Sequence, residues 1–160
     1  MPSPSPYRSL PVERRVALVT AAIKSNRERR LLYIQRLASL KGGFRAVTLQ
    51  SWPADKLARE LVRRNAETNQ DEFDLLHFMY VEHEPEVQVS FLDAAGVTHE
   101  HGVIAGHLEE PYADAEAVRR AAAAVREKHG AEGERYLRTI ARYSRESWPG
   151  IEQLVEGSGD

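Results

Sequence analysis

The sequence of 160 residues contains no cysteine. This absence excludes disulfide scaffolds, thiolate zinc sites, thiol nucleophiles and dithiol redox motifs. The glycine-rich phosphate loops GxxxxGK[ST] and GxGxxG and the GxSxG nucleophile elbow are missing as well. Without any of these short catalytic or nucleotide-binding motifs, the sequence favours a protein that is not an enzyme.

Long hydrophobic runs are also missing. The run at residues 16–23 follows Arg14 and Arg15 as in an export signal, but it has only eight residues and ends at Lys24. We interpret it as part of a buried helix, because a membrane span needs about 20 apolar residues. We therefore expect a soluble protein that has no membrane partner and resides in the cytoplasm.

Basic residues are absent from the middle of the chain. Residues 1–64 carry 14 Lys/Arg and four Asp/Glu, whereas residues 65–118 carry 13 Asp/Glu and no Lys or Arg. Residues 119–160 are nearly balanced, so the net charge of −2 conceals a partition of +10, −13 and +1. Such blocks either face each other within a fold or attract a partner of opposite charge.

The sequence is rich in the helix formers Ala, Leu, Glu and Arg, and apolar residues recur at helical spacing, as in Val12, Val16, Val19 and Ile23. This pattern predicts a mainly α, single domain of about six or seven helices; an α+β fold is the alternative. The predicted segments are a disordered Pro/Ser tail (1–8), one helical domain (9–150) and a flexible tail (151–160). Within the domain we expect basic helices (10–66), an acidic middle with histidines (67–110) and C-terminal helices (111–147).

Several local signals refine this assignment. Ser25 and Glu28 have the spacing of a capping box, and Gly96 and Gly130 are typical helix stops. Residues 44–49 could form a short strand. Residues 86–92 alternate like a strand but also share a helical face, and we favour the helix. Residues 98–110 resemble a long irregular loop.

A metal site is one alternative function. The acidic loop holds His99, His101 and His107, and imidazole with carboxylate suits zinc, iron or manganese. Because an HxH pair is a weak signal, no cofactor is predicted, and a divalent transition metal at these histidines stays an alternative. His77, on an apolar stripe, is interpreted as a hydrogen-bonded core residue.

Nucleic-acid binding is a second alternative. The basic segment includes Arg27, Arg29, Arg30 and Arg36, and enough cations to neutralise several phosphates. These cations are spread over three predicted helices, and no known nucleic-acid-binding motif is present. The leading hypothesis is therefore a non-enzymatic interaction or adaptor domain, whose partner is another protein or a second copy of the chain.

Overall fold

A computed structural model of the chain describes residues 5–156. By its internal contacts the chain divides into two compact units, an N-terminal unit up to Phe78 and a C-terminal unit from Met79 onward. The predicted mainly α class is confirmed, since the described residues contain nine α-helices and one two-stranded antiparallel ribbon. The number of helices in the described residues exceeds the predicted six or seven because two of them, only five and six residues long, were not predicted.

The N-terminal unit contains five helices: α1 (Val12–Ser25), α2 (Arg27–Ala38), α3 (Ala46–Gln50), α4 (Ala54–Arg63) and α5 (Asn69–Phe78). Helix α1 packs on α2, α4 and α5, and α2 packs on α3 and α4. The core side chains recur at helical spacing, as the burial of an apolar stripe requires. They include Leu18, Val19, Ile23, Tyr33, Ile34, Leu37, Leu57, Leu61, Leu75 and Leu76.

The C-terminal unit begins with a π-helical turn (Met79–His83). It continues with α6 (Glu86–Ala95), strands β1 (His99–Glu100) and β2 (Val103–Ile104), α7 (Ala115–His129), α8 (Ala131–Tyr143), a 3₁₀ turn (Arg145–Ser147) and α9 (Ile151–Glu156). Helix α7 packs against α6, α8 and α9. At the centre of this unit, the Phe91 ring lies 5.4 Å from that of Tyr136 and 4.9 Å from that of Trp148.

Both segments considered as strands are helical. Residues 46–50 form α3, whose first turn closes on the carbonyl of Arg45, and Val47 is 76% exposed rather than facing a sheet. Residues 86–92 belong to α6, as favoured, because Val87, Phe91 and Ala95 bury one helical face. The short antiparallel ribbon forms instead within the loop predicted at residues 98–110, where His99 pairs with Ile104.

Residues at the helix ends satisfy the free backbone groups there. Gly96 adopts φ +74°, and the amides of Gly96 and Val97 return to the carbonyls of Asp93 and Leu92, which confirms the predicted stop. The predicted cap at Ser25 was wrong by one residue. The side chain of Asn26 accepts from the amides of Glu28 and Arg29, while Ser25 is the last residue of α1.

Parts of both predicted tails are structured. Tyr7 is fully buried and Leu10 nearly so, so the disordered tail predicted for residues 1–8 does not describe residues 5–8. At the other end, residues 151–156 form α9, and Ile151 is buried. The remainder of the two predicted tails, residues 1–4 and 157–160, lies outside the described residues.

A glycine allows α8 to approach α7 closely. A Cβ on Gly133 would collide with the carbonyl oxygen of Val125 and lie 2.8 Å from its Cγ1. An alanine in a helix normally adds about 1 kcal/mol over glycine, but overpacking costs about 1–3 kcal/mol. We expect Gly133→Ala to lower the free energy of unfolding of the C-terminal unit by about 1 kcal/mol net, measured by urea denaturation. The control is Gly106→Ala, where the Cβ meets no atom within 4 Å; equal stabilities of the two variants would contradict the expectation.

Candidate interaction site

The acidic residues nearest to the basic helices are buried and paired. Asp71 is 1% exposed and accepts two hydrogen bonds from Arg36, from Nε at 2.9 Å and from Nη2 at 3.3 Å. Asp71 also caps α5, since its carboxylate accepts from the Thr68 amide while the Thr68 hydroxyl accepts from the Asp71 amide. The hydrogen bond to Asp71 raises the pKa of Arg36, which stays charged.

A second buried group surrounds Tyr7. The Tyr7 hydroxyl donates to Glu67 Oε2 at 2.5 Å, and burial, with the Glu67 charge next in importance, raises the pKa of Tyr7 far above its usual value. Arg8 lies 3.8 Å from the same carboxylate oxygen and donates to the backbone carbonyl of Glu67. The Ser5 hydroxyl donates to Glu72, which Arg8 approaches at 3.5 Å.

These contacts place part of the acidic segment with the basic helices. The boundary between the units lies at residues 78 and 79, not at the charge boundary near residue 64. Residues 1–78 carry 14 basic and eight acidic side chains, a balance of +6, and residues 79–160 carry eight and 16, a balance of −8. The N-terminal unit thus keeps a positive excess after its internal pairs have formed.

The structure does not assemble the predicted metal ligands. His99 Nε2 lies 2.6 Å from Asp93 Oδ1 of α6, and its Nδ1 accepts from the Gly102 amide in the β1–β2 turn, so both ring nitrogens have partners. His101 and His107 are exposed. Within residues 5–156 no group of three or more histidine and carboxylate side chains is arranged to hold a metal ion. His77 is exposed and stacks on Phe73, so the prediction of a core histidine was wrong.

Three of the four arginines considered for nucleic acid are engaged within the N-terminal unit. Arg29 donates to Ser25 and lies over the Phe78 ring, and Arg30 donates to the carbonyls of Gln50 and Trp52. Arg36 holds Asp71. Arg27 is exposed. Three of these four side chains therefore already have partners within the N-terminal unit, and Arg27 is the most exposed of them.

A serine and a histidine meet in the C-terminal unit. His129 Nε2 lies 2.9 Å from Ser90 Oγ, beside a cleft of about 630 Å³ between α6 and α7. The Ser90 hydroxyl also bonds the Glu86 carbonyl in its own helix, and no carboxylate of the described residues hydrogen-bonds the histidine. A nucleophile needs a base held in place by a third group. The hydrogen bond between Ser90 and His129 links α6 to α7.

The N-terminal unit carries a groove of about 1050 Å³, which we call the α1–α4 groove. Its floor is apolar, and the Thr20 hydroxyl on that floor is occupied by the Val16 carbonyl within α1. Val12 is 53% exposed at the surface of the groove. The apolar lining residues are Val12, Val16, Ala17, Ala21 and Val62.

Charged side chains surround this apolar floor. Four cations and two carboxylates line the groove: Arg15, Lys24, Arg59, Arg63, Glu13 and Asp55. Arg59 lies 3.4 Å from Asp55, and Arg63 pairs with Glu60, each within α4. The Arg15 Nε, by contrast, is buried and has no hydrogen-bond partner among the described residues.

Sequence reasoning assigned the whole Val12–Ile23 stripe to the core and so missed the groove. Val19 and Ile23 are buried, but Val12 and Val16 line the groove instead. The groove could have been anticipated from the width of the apolar surface of α1. Ala17 and Ala21 extend that surface beyond the single stripe that a core-facing helix buries.

No helix within residues 5–156 has the length and apolar character needed to cross a membrane. Comparison with known proteins gave no match, whether with protein-family models, with curated proteins or with solved structures.

Proposed function

We propose that the protein is a non-enzymatic interaction module, in which the α1–α4 groove holds an acidic, amphipathic helical segment of a partner protein. The observation that carries this proposal is an apolar floor with Val12 half exposed, surrounded by an excess of cations. Exposed apolar surface with a polar rim is characteristic of a protein interface.

The shape of the groove supports a helical occupant. It follows one face of α1, a helix of 14 residues, which corresponds to about 21 Å at 1.5 Å per residue. An amphipathic helix places side chains at i, i+4 and i+7 on one side, and three such anchors can lie along a groove of that length. Each buried aliphatic anchor contributes about 1.5–3 kcal/mol, from which the cost of association is subtracted. We therefore expect affinity in the micromolar range.

The charge of the groove supports an acidic occupant. Four of its six charged lining residues are cations, and the N-terminal unit has an excess of six positive charges. Complementary charge accelerates encounter and disfavours partners of the same sign. Binding of an acidic segment should consequently weaken as salt rises, because these rim charges are screened.

A substitution at the floor tests this proposal. Ala17 lines the groove and is exposed, so Ala17→Glu keeps a helix-compatible side chain while placing a carboxylate among the apolar anchors. The probe is a fluorescein-labelled synthetic helix with leucine at i, i+4, i+7 and i+11 and glutamate on its other faces. We expect Ala17→Glu to weaken its binding, measured by fluorescence anisotropy, about 30-fold, because a carboxylate would be desolvated and repelled.

The control variant is Ala123→Glu, the same substitution at an exposed position of α7 in the other unit. It should bind the probe as the wild type does. A second probe, with lysine in place of every glutamate, should bind at least tenfold more weakly than the first. Equal binding of both probes, or of both variants, would refute the proposal.

A further inference from the structure

Arg15 differs from the other arginines of the α1–α4 groove. Its Nε is buried without a hydrogen-bond acceptor, and its guanidinium carbon lies 5.9 Å from the centre of the Tyr7 ring. Among residues 5–156 no hydrogen bond or ion pair engages this guanidinium. Arg59 and Arg63 are instead already paired with carboxylates of α4.

A buried donor without an acceptor is costly. Such an atom typically lowers stability by about 1–3 kcal/mol, and most buried polar groups have a partner for this reason. Glu13 lies two residues before Arg15 and lines the same groove, and Glu67 bonds to Tyr7, whose ring the Arg15 guanidinium approaches. Neither carboxylate forms an ion pair with Arg15. Glu67 Oε2 is engaged by Tyr7 and Arg8, whereas Glu67 Oε1 is buried without a hydrogen-bond partner. Arg15 Nε is thus left without an acceptor among the described residues, and the Arg15 side chain lines the groove.

We propose that Arg15 is the residue that selects the occupant of the α1–α4 groove, by binding one carboxylate of the partner helix at the end of the groove formed by the first turns of α1. This inference rests on the proposed function and specifies its partner: an amphipathic helix with one obligatory Asp or Glu beside its apolar stripe. The Tyr7 ring holds the guanidinium in place before binding, which reduces the entropy lost on association.

The partner carboxylate would be bound in the manner favoured by arginine. A guanidinium presents Nε–H and Nη–H as two parallel donors, which match the two oxygens of a carboxylate. Lysine offers a point charge and lacks this geometry. Arginine is also among the residue types that most often dominate the energy of protein–protein binding.

A reciprocal charge exchange tests the inference. Each glutamate of the acidic probe helix is replaced singly by glutamine, and binding is measured by fluorescence anisotropy to the wild type and to Arg15→Glu. One position should weaken binding to the wild type about tenfold, as expected for loss of a charge-assisted hydrogen bond. The same replacement should strengthen binding to Arg15→Glu, because it removes a repulsion between two carboxylates. A probe with lysine at that position should bind Arg15→Glu better than the wild type.

Two further variants exclude a general effect of charge or of folding. Arg27→Glu makes the same charge change at an exposed residue that does not line the groove, and it should retain the dependence on that single glutamate. Arg15→Lys retains the charge but not the two parallel donors and should bind the parent probe several-fold more weakly. Thermal unfolding of the free variants shows whether each is folded.

The outcomes separate the two proposals. If the parent probe binds but no position couples specifically to Arg15, the selective role of Arg15 is overturned while the groove remains the binding site. If neither the acidic probe nor any of its variants binds the wild type, both proposals are overturned. Restoration of binding by the Glu-to-Lys exchange in Arg15→Glu would establish the contact.

Discussion

Asp71→Ala should lower the free energy of unfolding of the N-terminal unit by about 3 kcal/mol. The carboxylate is almost fully buried and accepts from Arg36 Nε, Arg36 Nη2 and the Thr68 amide. Breaking a buried charge pair costs about 3–5 kcal/mol, and loss of a helix cap about 1 kcal/mol. We take the lower end because the Arg36 side chain is 32% exposed, so water can solvate the charge that remains.

Urea denaturation followed by tryptophan fluorescence measures this loss. Trp52 belongs to the N-terminal unit and Trp148 to the C-terminal unit, so a Trp148→Phe background reports on the former alone. The matched control is Asp74→Ala, one turn later on α5, where a half-buried carboxylate accepts from Gln70. Its loss should be below about 1 kcal/mol. Similar losses for Asp71→Ala and Asp74→Ala would contradict the structural role assigned to Asp71.

The helices could be predicted because their signals are local. Gly96 and Gly130 mark helix ends by their own conformational freedom, and Asp114 caps α7 through its own side chain. Each of these features involves residues within one or two helical turns. The same reasoning failed at residues 44–49, because a strand requires a partner strand whose presence the segment itself does not reveal.

The burial of Tyr7 could not be predicted from the neighbouring sequence. Three prolines in the first six residues predict a disordered tail, yet Tyr7 is fully buried and bonds to Glu67, 60 residues away. The hydrogen-bond partner and the pocket both come from distant parts of the chain. A hydrophobic residue directly after the prolines was the sole sequence indication of burial.

The groove depends on distant residues in the same way. The sequence alone does not distinguish one arginine of the N-terminal unit from another, since each adds one positive charge. In the structure, three of them have hydrogen-bond acceptors elsewhere in the described chain: Arg29, Arg30 and Arg36. Arg15 Nε has none. The charge partition could be predicted from the sequence, whereas the distinction between an engaged and an available cation required the fold. The proposed binding groove lies on the face shared by α1 and α4, whereas the four arginines of the nucleic-acid alternative lie on α2.

Alkaline pH should destabilise the N-terminal unit more steeply than the C-terminal unit. Burial raises the pKa of Tyr7, Tyr33 and Tyr136 above the ordinary value near 10; neighbouring Glu67, Asp71 and Tyr80 act in the same direction. A group whose pKa is raised by folding contributes its full stabilisation below its unfolded pKa. That stabilisation is lost as pH rises from about 10 toward the folded pKa, because the unfolded chain releases the proton first.

The expected slopes differ between the units. Each buried tyrosine lowers the free energy of unfolding by about 1.4 kcal/mol per pH unit above pH 10. Tyr7 and Tyr33 lie in the N-terminal unit, whereas Tyr136 lies in the C-terminal unit with the half-buried Tyr112, whose pKa is raised less far, mainly by burial. Just above pH 10 the two units should lose stability at similar rates. At higher pH, where Tyr112 is ionised in the folded chain as well, the N-terminal unit should lose stability about twice as steeply. Urea denaturation at increasing pH, with Trp52 and Trp148 as separate reporters, measures both slopes.

A phenylalanine at each site provides the controls, since it removes the titrating hydroxyl and keeps the ring. Tyr33→Phe should halve the slope of the N-terminal unit. Tyr136→Phe should nearly abolish that of the C-terminal unit at the higher pH values, where Tyr112 no longer contributes. The near-ultraviolet absorbance of tyrosinate should rise for these residues together with the loss of helical circular dichroism. Complete ionisation of all six tyrosines near pH 10, with the helical signal intact, would show that these hydroxyls are accessible to water and would contradict the buried cores of both units.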